Sequence, residues 1–139
     1  MKIIYYSGSG NTRKMGTLIR EGIEAGGKCA ELISVEEVKA VDIMNEEVII
    51  LGCPAVGVEE LDEEYIEPLV TALSDKISGK KVALFGSYGW GDGEWMRTWE
   101  ERMKSYGAEL VAEGLIIQEE PKNEDVEVCR AFGTLIAKA

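Results

Sequence analysis

The chain has 139 residues, 45% of them hydrophobic, with a net charge of −11 and no histidine. That length and apolar share fit one domain with a proper core, residues 1–139, while the charge argues against nucleic acid and anionic membrane surfaces as partners. Without histidine there is no Ser–His–Asp or Cys–His nucleophile, and Cys29, Cys53 and Cys129 lie too far apart for a CxxC metal or redox motif.

The first apolar run, Lys2–Tyr6, reads as a strand and is too short to be a secretory leader, so a cytoplasmic protein is expected. It exits into "SGSGNT", residues 7–12, before an amphipathic helix carrying Met15, Leu18, Ile19 and Ile23 and ending at Gly26-Gly27. Asn11 or Thr12 is its expected N-cap. The loop supplies the hydroxyls of Ser7, Ser9 and Thr12. Gly8 and Gly10 let backbone N–H groups turn inward at a helix N-terminus, which suits an anion. It is not a Walker loop, since no lysine is present, and not GxGxxG, since residue 13 is arginine.

A second strand is expected at Cys29–Ile33, then a weak helical pattern within Val35–Met44. The third strand, Val48–Gly52, is continuously apolar, as in a sheet covered on both faces. Its exit, "CPAVGVEELDEE", leads into a helical pattern at Leu61–Asp75. The fourth strand, Val82–Gly86, exits into "SYGWGDGEW" and a helix over Gly93–Tyr106. A fifth strand, Glu109–Ile117, and a helix over Asp125–Lys138 complete the chain. Alternation of this kind gives parallel strands with helical crossovers in one doubly wound, three-layer α/β domain, whose ligand lies beyond the carboxyl ends of the strands.

Three polar or glycine-rich loops therefore share one edge of the sheet. In the third, Trp90 lies between two glycines, well placed to lie against a planar ring. Tyr88 has two readings, ring contact or core cover. Trp95 and Trp99, four apart on a helix, read as packing residues. From Cys53 to Asp75 there are seven acids and no base, and Val82 to Met96 adds Asp92 and Glu94. An acidic rim at the ligand edge suggests steering toward a basic partner.

Together "SGSGNT", "GCPAVGVEE" and "LFGSYGWGDGEWM" resemble the loops of the flavodoxins, specifically the short-chain kind of anaerobic bacteria, and the resemblance runs the length of the chain. It implies a five-stranded parallel sheet of order 2-1-3-4-5 and one non-covalent FMN carrying single electrons at low potential, between semiquinone and hydroquinone, without substrate turnover of its own. It further implies that the FMN phosphate is bound by Ser7, Gly8, Ser9, Gly10, Asn11, Thr12 and Ser87. The isoalloxazine would lie against Ala55, Val56, Gly57, Val58, Glu59, Tyr88, Gly89, Trp90 and Gly91, with Trp90 on its outer face and Glu59 accepting from ring N3–H. Gly57 would be the redox switch: its carbonyl flips to accept the new N5–H, and with β-branched Val58 beside it, Gly57 must take the positive φ of the flipped turn. The partners implied are basic-faced reductases or oxidoreductases meeting a monomer, with no metal at the site.

The chain departs from that pattern at Pro54, where some relatives place a serine, at Val56, where methionine is common, at Val58, where small or polar residues are usual, and at Gly16, where alanine is usual. A small FMN-dependent NAD(P)H reductase is the alternative reading. A phospho-receiver is disfavoured, because Gly52-Cys53-Pro54 stands where its aspartate would be.

Overall fold

A computed structural model describes all residues, Met1–Ala139. The elements are β1 (Lys2–Tyr5), α1 (Asn11–Ala25), β2 (Glu31–Ser34), β3 (Val48–Gly52), α2 (Ile66–Leu73), β4 (Lys81–Tyr88), α3 (Glu94–Ser105), β5 (Glu109–Leu110), β6 (Leu115–Gln118) and α4 (Asn123–Ala137). All strand pairs are parallel, and the order across the sheet is β2-β1-β3-β4-β5, with β6 also pairing β4. The order 2-1-3-4-5 thus holds, with the fifth position shared by two short segments.

Alternation along the strands builds two cores. Ile3, Val48, Ile50, Ala83 and Phe85 face α1 and α4, whereas Ile4, Ile49, Leu51, Val82 and Leu84 face α2 and α3. Strands buried on both faces need apolar residues at every position, which is why β3 shows no polar alternation. Helices α1 and α4 cross at backbone contact. A Cβ on Gly22 would lie 1.9 Å from the Arg130 carbonyl oxygen, and one on Gly133 would lie 2.0 Å from that of Ile19. Gly16, the helix-interior glycine, lets α1 approach the sheet, since a Cβ there would come within 2.7 Å of Leu32 Cδ1.

Three expectations are corrected. The span Val35–Met44 holds two single-turn 3-10 helices, Val35–Glu37 and Ala40–Asp42, because only Val35, Ala40 and Ile43 are buried there and no continuous apolar stripe forms. The helix expected from Leu61 begins at Ile66. Buried Asp62 instead closes a turn, its Oδ2 accepting the N–H groups of Tyr65 at 2.7 Å and Ile66 at 2.9 Å. The fifth strand is interrupted between Leu110 and Leu115, where Gly114 donates its N–H to Glu100 Oε2 at 2.7 Å. A Cβ on Gly114 would sit 2.4 Å from Met96 Sδ, so the glycine lets this excursion press against α3.

Candidate functional site at the carboxyl edge of the sheet

The first loop joins β1 to α1. Ser7 Oγ accepts the N–H groups of Gly10 at 3.1 Å and Arg13 at 3.3 Å, so Ser7 covers the start of α1. This corrects the expected cap at Asn11 or Thr12. Gly10 occupies the N-cap position at φ 97, a left-handed conformation that puts Asn11 and Thr12 inside the helix. The N–H groups of Asn11 and Thr12 have no acceptor in the protein, although Thr12 is wholly buried. Unpaired N–H groups at a buried helix N-terminus fit an anion.

The third loop is tied to the first. Thr12 Oγ1 and Ser87 Oγ are 2.9 Å apart, and the Ser87 N–H donates to Thr12 Oγ1 at 3.3 Å. One of the two hydroxyl protons serves this pair, which leaves the other for an acceptor outside it. Ser7 keeps its own hydroxyl proton, and Ser9 is exposed at the loop's tip. Hydroxyls, unpaired N–H groups and open space at Gly8 and Gly10, where a Cβ would meet nothing within 4 Å, are a donor set suited to a phosphate.

The middle loop is held by the third. Cys53 N–H donates to Phe85 O at 3.0 Å and Ala55 N–H to Ser87 O at 3.0 Å, extending the β3–β4 ladder past Gly52. Trp95 Nε1–H donates to Cys53 O at 3.2 Å. The Cys53 thiol is buried and its pKa is pushed up to about 12 by that burial, so it packs as an inert group. Residues Val56 and Glu60 then form a two-bond bridge of 2.8 and 2.9 Å around Gly57, Val58 and Glu59.

Gly57 has φ 57 in this turn and Glu59 has φ 47. The sequence places the positive φ of Gly57 in the flipped turn of reduced FMN, and in the structure Gly57 has a positive φ in this turn. Space is not the constraint, because a Cβ on Gly57 would meet nothing within 4 Å. Gly57→Ala is therefore expected to lower the stability of the protein by roughly 1–2 kcal/mol, the left-handed penalty alone. Urea unfolding of the free protein measures it, and an unchanged midpoint would place the strain in the reduced state instead.

The left-handed Glu59 had no sequence signal. Its Oε1 accepts the N–H groups of Gly93 at 3.2 Å and Glu94 at 3.1 Å, covering the N-terminus of α3. A Cβ on Gly91 would lie 2.5 Å from the Glu59 carboxylate, so a glycine is required there for the two loops to close. Oε2 is left for a further donor, compatible with a ring N–H.

Trp90 is 60% exposed and Val58 78% exposed, and they form the apolar part of this edge with half-open Val56. Tyr88 packs on Trp95 with ring centroids 5.6 Å apart, so it contributes to core cover as well as lying at the loop. Trp95 and Trp99 are buried, as packing residues.

The acidic rim is less uniform than the sequence windows suggested. Glu67 pairs with Arg102 at 2.6 Å, Asp92 with Arg97 at 3.0 Å and Asp75 with Lys76 at 3.0 Å. Those bases lie outside the two base-free windows in sequence and return to them through α3 and the turn after α2. Glu60, Glu63 and Glu64 hold no ion pair.

Taken together, the doubly wound sheet, the phosphate-type cradle and the exposed tryptophan beside an acidic rim define a mononucleotide-binding carrier. The Flavodoxin family model matches residues 3–133. The flavodoxin of Clostridium beijerinckii is 53% identical over 137 residues, covering 99% of both chains. That of Megasphaera elsdenii is 42% identical over 139 residues, covering 100% of this chain and 99% of its own. The solution structure of two-electron reduced Megasphaera elsdenii flavodoxin superposes with a TM-score of 0.89 at 43% identity, over 99% of this chain and 98% of that one. The chain belongs to the flavodoxin family. It is an FMN-binding, low-potential one-electron carrier, an electron-transfer protein that passes electrons to redox partners. No helix of the chain is long and apolar enough to cross a membrane.

Proposed function

We propose that residues 1–139 act as one FMN-binding unit in which the three loops divide the cofactor between them. The phosphate lies on Ser7, Ser9, Thr12 and Ser87 and on the N–H groups from Gly8 to Thr12. The isoalloxazine lies between Trp90 and the Ala55–Glu59 turn, with Gly89 and Gly91 bringing backbone to its pyrimidine end and Glu59 Oε2 accepting from N3–H. When bound, FMN would supply the one-electron chemistry; the chain would hold and shield it, and the Gly57 carbonyl would be the acceptor for a ring N–H at its edge.

The observation that carries this division is the cross-tying of the loops: Thr12 to Ser87, Ala55 to Ser87, and Glu59 to Gly93 and Glu94. Partners with a basic face would meet the unpaired Glu60, Glu63 and Glu64. We place the carrier in the cytoplasm as a monomer. Trp90→Ala is expected to weaken FMN binding by roughly 1–3 kcal/mol, by analogy with bases stacked on aromatic side chains, and to relieve the quenching of flavin fluorescence. Fluorimetric titration of the FMN-free protein reads both. Unchanged affinity and quenching would move the outer-face role away from Trp90.

A further inference from the structure

A cavity of about 550 Å³ lies between α2 and the segment that follows β2. Val38, Val41, Tyr65, Pro68, Leu69 and Ala72 supply its apolar walls. Val41 is 66% exposed, so an apolar side chain is left largely to solvent there. Both walls run from one edge of the sheet to the other. Helix α2 starts at Ile66, just after the carboxyl-edge turn, and ends at Leu73. The facing segment starts at Val35, directly after β2, and reaches Asp42, whose carbonyl oxygen accepts from Lys2 Nζ at 3.1 Å. Lys2 opens β1, so Asp42 lies toward the amino edge. The eight residues of α2 give this groove a length of about 12 Å, two turns of helix.

The charges lining the groove are sorted along that length. Glu36 and Glu64 stand at the carboxyl end, where the two carboxylates hold the Tyr65 hydroxyl above its usual range and Tyr65 stacks on Tyr6 with ring centroids 6.2 Å apart. Lys39 comes three residues after Glu36, and Lys76 stands in the turn after α2, at the amino end. Glu36, Glu64 and Lys39 hold no ion pair, and Lys76 meets only exposed Asp75, at 3.0 Å. The groove therefore has an acidic end, an apolar middle and a basic end, with three of its four charges unanswered within the chain.

We propose that this groove docks a short amphipathic helix of a redox partner, antiparallel to α2, with apolar side chains between the walls, bases against Glu36 and Glu64, and acids against Lys39 and Lys76. This rests on the reading of the chain as a carrier met by basic-faced partners. The order of the charges selects the occupant. A helix is stabilised by acids in its first turn and bases in its last. Laid antiparallel to α2, such a helix brings its bases to the acidic end of the groove and its acids to the lysines. The parallel orientation sets like charges together. A second copy of this chain, at net charge −11, is repelled. Glu64 also belongs to the acidic rim, so the partner's basic surface runs on from the rim into the groove. The partner's footprint is thus basic at the flavin edge and acidic about 12 Å down the side of α2, which fixes how the partner is turned about that edge.

The test follows backbone amide NMR signals of the FMN-loaded full chain during titration with a lactam-bridged helical peptide. The peptide carries acids in its first turn, leucines at helical spacing and bases in its last turn. Signals of residues 35–42 and 65–76 should shift together. A peptide with its charged ends exchanged should bind roughly five- to tenfold more weakly. Replacing the leucines with serine should remove the shifts in the groove. Val41→Asp, at an exposed position, should weaken the matched peptide by a similar factor and leave FMN affinity unchanged. Glu36→Lys should narrow the gap between the two peptides. Equal binding of both peptides, or an unaffected Val41→Asp, would overturn the proposal. Shifts confined to Glu60, Glu63 and Glu64 would remove the groove from the interface and leave the basic-partner reading standing. No shifts in either region with any peptide would sink both. Sedimentation showing a dimer that Val41→Asp dissociates would give the groove to a second copy and end the partner assignment.

Discussion

Trp95→Ala should lower the stability of the FMN-free protein by roughly 3–5 kcal/mol, which for a chain of this size is a fall in Tm of roughly 10–20 °C. Trp95 is 2% exposed and packs against Tyr88. Its loss leaves a large cavity between α3 and the sheet. It also removes the donor that holds Cys53 O at 3.2 Å, where the chain leaves β3 for the Pro54–Glu60 turn. The same carbonyl abuts Gly86, where a Cβ would lie 2.0 Å from it, so the turn has no room to settle inward. Trp95→Phe separates the two contributions. It keeps most of the packing and leaves the buried carbonyl without its donor, at a cost of roughly 1–3 kcal/mol. Urea unfolding orders the three proteins, and FMN titration reads the effect on the turn. A Trp95→Ala protein within 1 kcal/mol of wild type would mean that this ring is not the packing centre of that layer.

Gly22→Ala should be nearly as damaging, about 3 kcal/mol, at the upper end of overpacking effects. The new methyl group would meet the Arg130 carbonyl oxygen at 1.9 Å, and backbone cannot rotate away as a side chain can. Helices α1 and α4 would have to separate, pulling Thr134 Oγ1 from the Gly22 carbonyl it reaches at 3.2 Å. Gly16→Ala is the matched control on the same helix. There the obstruction is Leu32 Cδ1 at 2.7 Å, the movable end of a side chain, and alanine is the better helix former by roughly 1 kcal/mol. The two alanines should differ by at least 2 kcal/mol in urea unfolding. Equal stabilities would show that the α1–α4 crossing yields easily.

The strand and helix positions were legible because burial on two faces writes itself into runs such as "VIILG" and "VALFG", and amphipathic helices repeat on their own period. The three loops were legible because each follows a strand and shares its edge. Features that depend on distant partners were not. Glycines at positions 22 and 133 look alike to glycines in turns until the two helices are crossed. Arg97, Arg102 and Lys76 lie outside the acidic windows and pair back into them only in the folded chain. Glu59 reads as a ring acceptor in sequence, and its second task at the start of α3 emerges only when Gly93 and Glu94 are brought to it. The start of α2 was missed because Leu61, Tyr65 and Leu69 keep helical spacing through a turn that Asp62 closes by side-chain bonding.

The interrupted fifth position has a meaning for handling and abundance. A carrier is consumed and regenerated mole for mole with the electrons it moves, so its usefulness scales with how much of it can stay dispersed. Long open strands at a sheet's border invite other copies to add on and start fibres. Here one border is cut into pieces of two and four residues, and the other, β2, is only four residues long and starts with Glu31. Neither offers a long template for another copy to zip onto, which removes the edge-to-edge route to polymers as the protein is crowded.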